Sequence, residues 1–137
     1  MGRILAIDYG QKRVGLAVTD ELQMIANALE TVPAREVIAY LQKYIAAEDV
    51  ETIVVGEPKQ KDNTASPSAV WIDPFVKKIK KLFPDITIER YDERFTSKMA
   101  FQTMIDSGIS KKNRRDKSLI DKISATIILQ SYLESKS

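Results

Sequence analysis

The first third of the chain alternates between apolar residues and small or polar ones, a period of two that is typical of β-strands. A compact apolar run over residues 3–8 predicts a buried strand, and the alternation over residues 14–19 predicts a second strand. Residues 9–13 between them contain a glycine and predict a hairpin turn. We expect a third strand within residues 24–31, so that an antiparallel meander is the simplest arrangement.

After Pro33 the apolar spacing becomes that of helices alternating with single strands. Apolar residues at helical spacing predict a helix that begins at Pro33. A β-branched run over residues 52–56 predicts a buried parallel strand, and residues 86–91 predict a last, alternating strand. The chain between these two strands predicts another helix, which either begins at Pro74 or is a longer helix from about residue 68 that Pro74 kinks.

Two more helices are expected near the end of the chain, over residues 96–108 and from Ser118 onward. The order β-β-β-α-β-α-β-α-α predicts an α/β fold: a five-stranded mixed sheet, with three antiparallel strands and then two parallel βα units, flanked by helices. A length of 137 residues fits one domain, which we expect over residues 1–137.

The composition excludes several kinds of chemistry. The chain has no cysteine and no histidine, so it can form neither disulfides nor a histidine-based triad or metal site. Any metal is therefore expected to be a hard ion with oxygen ligands, such as Mg²⁺ or Mn²⁺. No apolar run approaches the ~20 residues that cross a bilayer, and Asp8 interrupts the N-terminal run, so we expect no membrane partner and no signal peptide.

Acidic residues lie where the predicted strands end. Asp8 ends the first strand, and Asp92 and Glu93 follow the last strand, which is predicted to be a parallel neighbour of the first. Asp121 lies at the start of an apolar face of the final helix. Ligands gather beyond the carboxyl ends of parallel strands, so these acids are expected to converge on one edge of the sheet. Taken singly, Asp8 could be a turn residue, Asp92 and Glu93 surface acids, and Asp121 part of a capping box with Ser118.

Three converging carboxylates could hold two divalent ions, which would activate water and stabilise the leaving oxygen in phosphodiester hydrolysis. Basic residues near these acids, or in a loop before the last helix, could bind the phosphates of nucleic acid; their alternative is ordinary surface charge. The candidates are Lys12, Arg13, Arg94, Lys111, Lys112, Arg114 and Arg115.

These acids stand in motifs that resemble those of the YqgF (RuvX) family. The matching segments are residues 8–17, which begin Asp-Tyr-Gly, the Gly-Glu-Pro of 56–58, the Asp-Glu-Arg-Phe-Thr-Ser of 92–97 and the helix of 121–133. The resemblance implies an RNase H-like fold, a cytoplasmic protein, and either Holliday-junction resolution or maturation of the 5′ end of pre-16S rRNA. It also implies that Asp8, Glu93 and Asp121 are the catalytic acids and metal ligands.

The chain departs from the family pattern at two places. Asn63 and Thr64 stand where Gly-Ser is usual, and Glu57 replaces a residue that is more often apolar, so Glu57 is either an auxiliary ligand or an exposed loop acid. Members of the resolvase branch work as dimers, and the sequence leaves both a monomer and a homodimer open.

Two other functions compete with the nuclease. A nucleotide-binding protein of the sugar-kinase and actin kind also begins with a strand and Asp-x-Gly, but this chain has room for only half of such a protein and shows no second phosphate loop. A non-catalytic module that binds RNA or the ribosome would use the basic clusters. It would not need the three acids, all of which are present.

Overall fold

The computed structural model describes residues 2–57, 69–92 and 117–136, and for residues 69 and 117–121 it describes the backbone alone. A short 3₁₀ turn (Ala34–Glu36) precedes the first helix. The strands and helices of the described ranges are β1 (Arg3–Tyr9), β2 (Arg13–Thr19), β3 (Ala26–Pro33), α1 (Val37–Ala47), β4 (Val50–Glu57), α2 (Ala69–Leu82), β5 (Thr87–Asp92) and α3 (Lys117–Lys136). The helix predicted over residues 96–108 lies outside the described residues.

The five strands form one sheet in the order β3-β2-β1-β4-β5. β1 pairs antiparallel with β2 and parallel with β4, and β5 pairs parallel with β4. The mixed sheet predicted from the apolar periods is thus confirmed. The expectation that the last strand neighbours the first is wrong, because β4 lies between them. β4 is apolar enough to be buried on both faces, whereas the charged, half-buried β5 occupies the edge.

The third strand lies two residues later than predicted because the side chain of Asp20 holds the preceding turn together. Its Oδ1 accepts the backbone N–H groups of Met24 and Ile25, each at 2.9 Å, and its Oδ2 accepts that of Leu22 at 3.1 Å. These bonds keep the chain in a turn as far as residue 25 and lower the pKa of the Asp20 carboxyl.

Helices α1 and α2 pack on one face of the sheet. Leu5 and Ile7 of β1 are fully buried in the same core as Leu41 of α1 and Ile79 of α2. Pro74 lies inside α2, so the longer of the two predicted helices is the one that forms. The helix continues past this proline because residues on both sides of it, Ile72 and Phe75 among them, are buried against the sheet.

Helix α3 packs on the other face. Its residues Ala125, Ile128, Leu129 and Tyr132 are buried against a patch of the sheet that includes Ile4, Ala6, Ala17 and Val54. The alanines leave room for close approach of the helix.

The end of α3 is anchored to the edge strand. The Nζ of Lys136 lies 3.8 Å from the Oε2 of Glu89, to which the Tyr132 hydroxyl also donates a hydrogen bond. Residues 130, 133 and 134 adjoin the β2–β3 turn, so α3 ends at the edge where β1 begins, and it starts toward the edge where β1 ends.

None of the helices in the described part of the chain is long and apolar enough to cross a membrane.

Replacing Ile79 with alanine should lower the free energy of unfolding by about 2–5 kcal/mol, because the side chain is fully buried beneath α2 and its removal leaves a cavity. Urea titration measures this change as a lower midpoint. Val70→Ala on the same helix is the control: Val70 is 76% exposed, and its loss should change stability by no more than about 0.5 kcal/mol. Equal midpoints for the two variants would contradict the packing of α2.

Candidate active site

Asp8 stands at the carboxyl end of the central strand, on the face that α3 covers. Side chains alternate along a strand, and Ala6 packs toward α3 whereas Ile7 packs toward α1 and α2. Asp8 therefore shares the face of Ala6, and it is partly buried there.

The neighbours of Asp8 on the adjoining strands are both glycines. Asp8 pairs with Gly15 of β2, and the parallel pair of Ile7 with Val55 brings Gly56 of β4 to its other side. Neither neighbour carries a side chain that could fill the space beside the carboxylate. The two strands that flank β1 thus place no side chain directly beside Asp8 on this face.

The turn after Asp8 brings basic residues to the same edge. The Gly10 N–H donates to the Arg13 carbonyl at 3.0 Å, and a Cβ on Gly10 would lie only 2.5 Å from that oxygen, so the turn requires glycine. Lys12 and Arg13 are exposed in this turn. The Ala34 N–H donates to the Lys12 carbonyl at 2.9 Å and ties the turn to the chain that leads into α1. The structure thus places Lys12 and Arg13 beside the edge that carries Asp8, and their contact with phosphate stays a prediction.

Glu57 and Asp92 lie on the opposite face of this edge. They are paired in register at the ends of β4 and β5, and Glu57 shares its strand face with Val55, which packs toward α1 and α2. The Oε1 of Glu57 lies 3.2 Å from NH2 of Arg90, and Oδ1 of Asp73 lies 2.6 Å from NH1 of the same arginine. Because Arg90 holds Glu57 on the α2 face, the geometry does not favour Glu57 as an auxiliary ligand next to Asp8.

The other predicted acids are not described in full. Glu93 lies outside the described residues, and Asp121 lies in α3 at a position for which only the backbone is described. Within the described residues, no three acidic side chains are grouped as a metal site. The basic candidates Arg94, Lys111, Lys112, Arg114 and Arg115 also lie outside the described residues. The convergence of Asp8, Glu93 and Asp121 stays a prediction.

A cleft with aromatic walls opens at the same edge on the α1 and α2 face. Tyr9 stacks on Phe75 with ring centroids 4.3 Å apart, and Trp71 lines the same cleft. No aromatic surface of this kind was expected from the sequence. Tyr9 and Trp71 belong to distant segments, and the partial exposure of both rings emerges only when the chain folds.

Known proteins similar to this chain were found by sequence and by structure. A relative from Flavobacterium johnsoniae is 59% identical over 136 residues and one from Bacteroides thetaiotaomicron is 55% identical over 136 residues; each match covers 99% of both chains. Both relatives carry the name "Putative pre-16S rRNA nuclease". The structure of T. thermophilus RuvC in complex with a Holliday junction substrate has a TM-score of 0.57 at 18% identity and covers 100% of this chain and 98% of its own.

The likeness to RuvC confirms the RNase H-like fold that the motifs implied. A family model described as "RuvX: Holliday junction resolvase" matches residues 2–135, almost the whole chain. Together with the relatives, this match confirms the resemblance stated from the motifs and the enzyme class, a hydrolase that cleaves phosphodiester bonds. The chain belongs to the RuvX family of nucleases.

Proposed function

We propose that this protein is a divalent-metal-dependent endonuclease that trims the 5′ end of precursor 16S rRNA in the cytoplasm. The observation that carries the chemistry is the position of Asp8, at the end of the central parallel strand with a glycine on either side. The relatives that match over nearly their whole length support the substrate by their name. Resolution of Holliday junctions is the second candidate, and the description of the family supports it.

The proposed metal ligands are Asp8, Glu93 and Asp121. Asp92 faces away from Asp8, and the motif resemblance points instead to the next residue along the chain, Glu93. Asp121 precedes the buried Ala125 by four residues, a spacing that puts two residues on one face of a helix. An all-oxygen set of carboxylates in a chain without histidine or cysteine suits Mg²⁺ or Mn²⁺.

The protein's own residues have three tasks in this mechanism. The carboxylates fix the geometry of the site, since Asp8 extends from a strand that is buried on both faces. Bound divalent ions would lower the pKa of an attacking water and neutralise charge on the phosphoryl oxygens. Lys12 and Arg13, exposed beside Asp8, attract the phosphate backbone and hold it at the edge. Arg94 and the loop residues Lys111, Lys112, Arg114 and Arg115 are proposed to extend this contact.

Asp8→Asn should reduce cleavage by about 100-fold or more, because the site loses a charge that holds the metal, worth several kcal/mol in the transition state. The measurement compares the rates on a precursor 16S rRNA fragment and on a four-way DNA junction, each with Mg²⁺ or Mn²⁺. Asp92→Asn is the matched control, a carboxylate at the same edge on the other face, and it should stay within a few-fold of the wild type.

Equal cleavage by the wild type and Asp8→Asn would contradict the site. If the wild type binds both substrates and cuts neither, the chain acts as a binding module instead. Faster cleavage of the junction than of the rRNA fragment would favour the second candidate function.

Replacing Lys111 and Lys112 with glutamine should flatten the salt dependence of nucleic-acid binding. The association constant decreases with salt, and the magnitude of the slope of its logarithm against the logarithm of the salt concentration becomes smaller by about 0.7 for each lysine that contacts a phosphate of a single strand. Fluorescence anisotropy at several salt concentrations measures this slope. The control replaces Lys80 and Lys81, two exposed lysines at the end of α2 that lies away from Asp8, and it should leave the slope unchanged. A slope that changes only in the control would place the contact surface on α2.

A further inference from the structure

The cleft on the α1 and α2 face has the size and the lining of a binding site. Its volume is about 500 Å³, which lies within the range of ligand pockets. Tyr9, Trp71 and Phe75 form its aromatic wall, and Arg35 and Lys78 are exposed at its rim. The cleft opens where β1 ends, next to the β1–β2 turn.

The aromatic wall is held in place from beneath. Phe75 is only 5% exposed and belongs to the core, and the Tyr9 ring stacks on it with an angle of 24° between the planes. Tyr9 and Trp71 are themselves partly exposed. A rigid, partly exposed aromatic surface is the feature on which proteins stack the unpaired bases of single strands.

The charges around the cleft complement a phosphate backbone. Arg35 and Lys78 flank it, and the hydrogen bond from Ala34 to the Lys12 carbonyl brings the exposed Lys12 close to Arg35. The carboxylate of Asp73, the acid of this part of α2, pairs with Arg90 at 2.6 Å. The described rim is therefore positive.

We propose that this cleft binds an unpaired nucleotide of the substrate strand, with its base against Tyr9 and Trp71 and its phosphates near Arg35 and Lys78. The proposal rests on the proposed function, in which the substrate is nucleic acid. Asp8 and Tyr9 are successive residues on opposite faces of β1, so a strand that crosses this edge of the sheet reaches both the carboxylate and the cleft. The cleft therefore selects substrates that are single-stranded next to the cleavage site.

Trp71 reports directly on this cleft because it is the one tryptophan in the sequence. In the Asp8→Asn protein, a single-stranded oligouridine should quench Trp71 emission as it binds. A strand of equal length with abasic sites in place of its bases should bind through its phosphates and leave the emission unchanged. Equal quenching by both strands, or saturated binding with no quenching, would overturn the proposal. An emission change that follows protein concentration without RNA would assign the cleft to a second copy of the chain and overturn it as well.

Two sets of variants separate stacking from charge. Trp71→Ala should weaken oligouridine binding at least about fivefold, whereas Trp71→Phe, which keeps an aromatic ring, should bind nearly as the wild type does. Arg35→Gln with Lys78→Gln should reduce the salt dependence of binding and leave the fold intact, since both side chains are exposed. Equal binding by Trp71→Ala, Trp71→Phe and the wild type would contradict the stacking.

The two proposals fail in different ways. Quenching of Trp71 by oligouridine, together with no cleavage by the wild type, contradicts the nuclease function and supports the cleft. Cleavage that depends on Asp8, together with an unresponsive Trp71, contradicts the cleft and supports the nuclease function.

Discussion

The burial of β1 on both faces is the constraint on which the rest of the structure depends. Leu5 and Ile7 are fully buried toward α1 and α2, and Ala6 is fully buried toward α3. A slip of one residue would exchange the two sets of side chains, so the two cores fix the register of this strand. The same alternation decides the positions of Asp8 and Tyr9 beyond the last core residues, one on each face of the sheet.

The two faces of this edge consequently differ in their electrostatics. On the α2 face, Arg90 pairs with both Glu57 and Asp73, so these two acids are engaged with a cation. On the α3 face, Asp8 has a glycine beside it on each neighbouring strand. One face of the edge thus carries the proposed metal site, and the other carries the proposed base-binding cleft.

Most of the fold could be predicted from the regular spacing of apolar residues, because β1, β2 and β4 are buried and their side chains must match the core. The position of β4 between β1 and β5 depends on competition between strands for the centre, which local pattern does not encode. The persistence of α2 through Pro74 likewise depends on tertiary packing. The position of Asp8 was predictable from the strand end, whereas the role of Arg90 and the meeting of Tyr9 with Trp71 depend on contacts between distant segments.

The opening motif is recognisable because several of its positions have separate physical requirements. Asp8 supplies the carboxylate, Gly10 avoids the Arg13 carbonyl in the turn, and Gly15, paired with Asp8, has no side chain. Val14 and Leu16 are fully buried and anchor the returning strand in the core. A change at the turn would alter the path of β2, and with it the position of Gly15 opposite the carboxylate. The motif is therefore a single geometric unit, in which the hairpin sets a glycine opposite the carboxylate of the proposed metal site.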